Sequence, residues 1–238
     1  VFSPSGTEQI AISPATSNSI FDPAGNPMAQ ITISERLYLP DRIPPEFIAG
    51  SASISSDNSY VIFTLSEGVY GNWESRTPAE PSDFFVEFIP NGGNATGANV
   101  SYITNSRQFP LVGGEDTLRC YLDIQGTPSG HERLFIRAAS DTSMSDASGN
   151  HLPVSASGWS PDKATDTLQL FDQLVPTVDS VSIAHGSPIS SSIESPIAIT
   201  FNEPIQFFEY TISARHYNYL SYIADTTATG FKITLQPP

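Results

Sequence analysis

The sequence predicts an all-β chain of tandem Greek-key β-sandwiches, with one complete repeat flanked by two partial ones. Three observations lead there. Short stretches with apolar residues at every second position recur along the chain, and they alternate with turns rich in Pro, Gly, Asn and Ser. No stretch carries a helical period. Sequence landmarks also return in a fixed order, which marks a repeat.

The landmarks centre on a junction. Ile33-Ser34-Glu35-Arg36-Leu37-Tyr38-Leu39-Pro40-Asp41 leads into Pro44-Pro45, and about 131 residues later Ala164-Thr165-Asp166-Thr167-Leu168-Gln169-Leu170-Phe171-Asp172 leads into Pro176. Each copy is a strand, an aspartate, then a proline that opens a new apolar run. Downstream lie Val61-Ile62-Phe63-Thr64-Leu65-Ser66-Glu67-Gly68-Val69 and Ile197-Ala198-Ile199-Thr200-Phe201-Asn202-Glu203-Pro204-Ile205. Upstream lie Asp22-Pro23-Ala24-Gly25-Asn26 and Asp146-Ala147-Ser148-Gly149-Asn150. The domains read from this order are 1–42, the last strands of one repeat; 43–172, a whole repeat; and 173–238, the first strands of another. Such a division suits a segment of a longer array.

Taken in order, strands are expected at 7–13 and 30–39, either side of the Asp22–Asn26 turn. The complete repeat places strand A near 46–54, B at 59–66, C at 84–89, D at 100–105, E at 117–125, F at 132–139 and G at 165–171. Strand B turns Val61, Phe63 and Leu65 to one face, and strand F turns Leu134, Ile136 and Ala138. Seven short, evenly spaced strands make a sandwich. A short helix is allowed for in 71–83 or 207–218. Strands at 178–184, 196–202 and 231–235 open the third unit.

Composition narrows the function classes. The 238 residues carry a net charge of −15, with lysine only at Lys163 and Lys232. That surface repels phosphate backbones, so nucleic acid is not an expected partner. No apolar run is long enough to span a membrane. The single cysteine, Cys120, excludes an internal disulfide framework and lies on the leucine-bearing face of strand E, a core thiol.

Topology gives the acids a meaning. Strand B of a seven-strand sandwich ends at the pole where strand A began, and the F–G loop lies at that pole. Asp41, Glu67, Asp146 and Asn150 are therefore expected to meet at one junction, with Asp172 and Glu203 marking the next. Clustered carboxylates and amide oxygens suit calcium, a hard cation with six to eight oxygen ligands. Asp before Pro and Asp-x-x-Gly-Asn are also ordinary turn formers.

Asp-x-x-Gly-Asn, a strand, Asp-x-x-x-Pro, a strand and Phe201-Asn202-Glu203-Pro204-Ile205 together resemble the bacterial immunoglobulin-like and cadherin-like repeats of large surface proteins. The resemblance implies an extracellular, structural or adhesive array of immunoglobulin-like sandwiches, some such arrays being calcium-dependent. Leu65-Ser66-Glu67-Gly68-Val69 departs from the motif at two positions, and the loops 71–83 and 107–116 are longer than usual. Partners would be neighbouring repeats or copies of the same protein, including head-to-tail assembly by strand addition.

The rival class is a carbohydrate-binding module of a secreted enzyme or adhesin. Trp73, Trp159, Tyr217 and Tyr219 are its candidate residues, since exposed aromatic faces stack on sugars. Asn94-Ala95-Thr96 and Asn99-Val100-Ser101 are glycosylation sequons. Catalysis is not expected. His131, His151, His185 and His216 show no zinc spacing, and there is no Gly-x-Ser-x-Gly elbow or P-loop.

Overall fold

The computed structural model describes residues 3–29, 33–154, 160, 163–181, 197–203, 223–227 and 230–233. It is all-β, built from antiparallel sheets. The chain forms two compact units, Val1–Gln173 and Leu174–Pro238.

The first unit contains β1 (Gln9–Ile10), β2 (Leu37–Tyr38), β3 (Ser53–Ile54), β4 (Tyr60–Val69), β5 (Phe84–Ile89), β6 (Gly97–Asn105), β7 (Glu115–Gln125), β8 (Arg133–Ala138) and β9 (Leu168–Gln169). One sheet runs β3-β4-β7-β6, a second runs β5-β8-β9, and β1 pairs with β2 apart from both. Alternation puts Val61, Phe63 and Leu65 of β4 on one side, all buried with Leu118 and Cys120 of β7. From the second sheet, Phe84, Val86, Leu134, Ile136 and Ala138 complete the same core. The Phe63 and Phe84 rings meet edge-on at 6.1 Å between centroids, tying the layers together. Burial pushes the Cys120 thiol pKa up, as expected of a core cysteine.

Several expected strands are shorter. The segment 46–54 contributes a bridge at Phe47 and then only Ser53–Ile54, because the chain turns at Gly50, with its φ of +76°. The expected strand G shrinks to Leu168–Gln169 because Thr165 breaks the ladder: its hydroxyl, not a backbone carbonyl, accepts the Ile136 N–H. No helix forms in 71–83; Pro81–Asp83 makes a single 3-10 turn. The segment 207–218 lies outside the described residues.

Residues 3–42 and 127–173 share a hydrogen-bond pattern. Gln9 pairs with Tyr38 and Ile10 with Leu37, as Arg133 pairs with Gln169 and Leu134 with Leu168. The Ile12 N–H donates to the Ser34 hydroxyl, as Ile136 does to Thr165. Leu39 donates to the Glu8 carbonyl and Arg42 to that of Pro4, as Leu170 does to Glu132 and Gln173 to Pro128. Gly6 and Gly130 both adopt positive φ, and a Cβ on either would press on the following segment's aspartate, Asp41 or Asp172.

The second unit contains β10 (Val178–Val181), β11 (Ile197–Phe201), β12 (Ile223–Thr227) and β13 (Gly230–Ile233), in the order β10-β11-β13-β12. That order matches β3-β4-β7-β6 strand for strand. Its entrance matches too. The Asn202 N–H donates to the Thr177 carbonyl and the Thr177 N–H to the Asn202 side chain, as Ser66 and Glu46 do.

Candidate functional site

The site forms where β4 overshoots its sheet. Its ladder with β7 runs to Thr64 and then slips, resuming only at Val69. Gly68 makes the overshoot feasible, since a Cβ there would collide with the Gly114 backbone. That explains why glycine stands where the second motif has Pro204. Tyr70 then exchanges two backbone hydrogen bonds with Ser145, at 2.8 and 3.0 Å. This contact lays the end of β4, with Glu67, beside the loop that opens at Asp146.

That loop is a closed turn. Asp146 Oδ1 accepts the N–H groups of Ser148 (2.7 Å) and Asn150 (2.8 Å), and Oδ2 accepts the Asn150 amide (2.7 Å). Asp41 arrives from the preceding segment, its Oδ1 accepting the Ile43 N–H at 3.0 Å just before Pro44. One carboxylate oxygen each from Asp41, Glu67 and Asp146 lie within 4.8 Å of one another. Oxygens bound about 2.3–2.6 Å from one calcium ion lie at most about 5 Å apart, so this spacing suits a shared cation.

The three carboxylates repel one another. Asp146 is fully buried and the other two are half-buried. Burial, then the negative charges of Asp146 and Asp41, pushes the Glu67 pKa up to about 7. Among the described residues no cationic side chain forms an ion pair with Asp41, Glu67 or Asp146; the Arg137–Glu87 pair, at 3.7 Å, does not involve the trio. Three of the roughly four acceptor positions of the Asp146 carboxylate are taken, leaving one on Oδ2, while both Glu67 oxygens are open.

The structure thus brings together Asp41, Glu67 and Asp146. Asn150 joins them through its amide nitrogen, which donates to Asp146, so here it acts as an orienting residue. Asp172 lies at the end of the first unit and Glu203 in the second. Trp73 lies over the same turn, since a Cβ on Gly149 would touch its ring at 3.0 Å, and 38% of its surface is exposed. Trp159, Tyr217 and Tyr219 lie outside the described residues. Asn94 and Asn99 are both exposed.

One feature escaped the sequence. Tyr60 and Tyr102 both pair with Tyr121 across three strands, at 5.8 and 5.9 Å between ring centroids, and Arg119 lies 4.2 Å over Tyr60. The row depends on cross-strand register, and no spacing along the chain announces it. Comparison with known protein families, characterised proteins and solved structures finds no match to this chain.

Proposed function

We propose that this chain is a structural or adhesive segment of an extracellular surface array, built from tandem immunoglobulin-like Greek-key repeats and stiffened by calcium at their junctions. The observation that carries the reading is the convergence of Asp41, Glu67 and Asp146. Asp41 comes from the strand pair at 3–42 and the other two from the sandwich that follows, so a shared ion would clamp the two. The repeat reading draws on the recurring hydrogen bonds of 3–42 and 127–173. The orders β3-β4-β7-β6 and β5-β8-β9 correspond to the A-B-E-D and C-F-G sheets of an immunoglobulin-type sandwich. The calcium chemistry and the sequence resemblance both favour an extracellular setting.

The test is limited trypsin digestion at the linker. Arg42 is exposed beside Asp41. Calcium should slow cleavage after Arg42, a chelator should restore it, and Glu67→Gln should respond to neither. Equal cleavage with and without calcium in the parent chain would refute the clamp.

The tyrosine row favours a second reading, a glycan-binding face on the outer side of the β3-β4-β7-β6 sheet. Retention on immobilised glycans that is lost in Tyr102→Ala would support it. Retention unchanged by that substitution, or none by the parent chain, would count against it.

A further inference from the structure

The outer side of the β3-β4-β7-β6 sheet joins the tyrosine row to an open cleft. The alternation that turns Phe63, Ile103 and Leu118 inward turns Tyr60, Tyr102, Thr117, Arg119 and Tyr121 outward. Tyr102 keeps 52% of its surface exposed. Beyond Arg119 lies a cleft of about 350 Å³, with Arg107, Glu115, Asp116 and Thr117 among its walls. Thr117 is four residues along β7 from Tyr121, so row and cleft lie about 14 Å apart. Arg119 links them. It stacks on Tyr60, and its Nη2 donates to the carbonyl of Ser106, which also lines the cleft.

The cleft wall is braced and its chemistry is mixed. Asn105 Oδ1 accepts the N–H groups of Arg107 and Phe109, at 2.9 and 3.1 Å, which fixes the turn that presents Arg107. The Glu115 carboxylate accepts the N–H groups of Val112 and Gly113 and so holds the other end of that loop. Arg107 and Asp116, both exposed, offer a ligand a donor fork and an acceptor pair. An independent sign lies one rung away. Arg119 Nε and Thr104 Oγ1, on residues paired across β7 and β6, are buried with no hydrogen-bond partner among the described residues. Leaving such atoms unpaired costs stability, and an apolar pair would serve the sheet better. Arg119 therefore answers to a need other than folding.

We propose that this strip binds an uncharged linear glycan, a proposal that rests on the glycan reading above and names its ligand. The chain stacks on the tyrosine row and sets neighbouring hydroxyls against Arg107 and Asp116 in the cleft. Stacking calls for flat apolar sugar faces, which the three phenol rings match. Hydroxyls both donate and accept, and a guanidinium and a carboxylate in one cleft serve both needs. The charge balance points away from acidic glycans. A polyanion would meet Glu115 and Asp116 in the cleft, Asp123 two residues beyond Tyr121, and a chain of net charge −15. The separation of row and cleft calls for a chain of sugars rather than a single one.

The test is affinity electrophoresis of the whole chain in native gels. Xyloglucan, galactomannan, β-glucan and dextran are the uncharged probes, and polygalacturonate is the acidic one. The expected result is retardation by at least one uncharged polysaccharide and none by polygalacturonate. Arg107→Ala and Asp116→Ala should each weaken that retardation about tenfold. The melting of the Val1–Gln173 unit should stay unchanged in both, because both side chains are exposed. Retardation by polygalacturonate as strong as by any uncharged probe would overturn the inference. So would retardation that both cleft variants leave intact. Either result leaves the glycan reading standing if Tyr102→Ala abolishes the retardation. No retardation in any gel would overturn the inference and the glycan reading together.

Discussion

The turns at Asp22 and Asp146 are local twins in unlike surroundings. In each, the aspartate Oδ1 accepts two backbone N–H groups and Oδ2 takes the amide of the asparagine four residues on. Asp22 is exposed and Asp146 is fully buried beside Glu67 and Asp41. Asp-x-x-Gly-Asn therefore specifies a turn by itself. A charged site arises only where a strand end and a linker are packed against that turn. The same holds for the whole segments: 3–42 has the hydrogen bonds of 127–173 and lacks its core.

The largest expected effect tests that contrast through truncation. Ile136→Ala should cost about 4 kcal/mol in the denaturant unfolding of the Val1–Gln173 unit, because it empties a fully buried site. Ile12→Ala, at the matching position, should change that transition by less than about 0.5 kcal/mol. Glu132→Ala follows, at about 2 to 3 kcal/mol, since it orphans the Ala95 and Ser129 donors, whereas Glu8→Ala should leave the same transition unmoved. Equal costs within either pair would dissolve the comparison.

Glu67 gives the smallest and most diagnostic effect. A carboxyl whose pKa rises from 4.5 to about 7 on folding favours the native state fully below pH 4.5. That contribution is lost as pH climbs through 7. Metal-free stability should therefore fall between pH 5 and 8, and Glu67→Gln should flatten the fall. Calcium needs the ionised carboxylate, so its binding should strengthen over the same interval and release a proton near pH 6.

The sequence made some of this legible for physical reasons. Tyr60–Val69 was readable because Val61, Phe63 and Leu65 alternate toward the core, and Arg133–Ala138 because its apolar run Leu134-Phe135-Ile136 is buried. The meeting of Asp41, Glu67 and Asp146 was readable because strand direction assigns each to one pole. The orienting role of Asn150 was not, since a side-chain amide can present either end. β12, Ile223–Thr227, was missed because Ile-Ala-Asp-Thr-Thr shows no apolar alternation. The short pairings at β1, β2 and β9 read as longer strands because a serine or threonine hydroxyl takes the place of a ladder carbonyl, and composition does not reveal that exchange.

The most direct measurement is the thermal midpoint of the chain at pH 8, with calcium and with excess chelator, for the parent and Glu67→Gln. An ion bound only by the folded state raises the midpoint in proportion to the logarithm of its concentration. The account predicts a calcium-dependent rise in the parent. In Glu67→Gln it predicts no rise, together with a metal-free midpoint above the parent's because the repulsion is relieved. A parent midpoint indifferent to calcium, or a variant that keeps the full response, would contradict the cation clamp and leave the three acids as turn and strand-end residues.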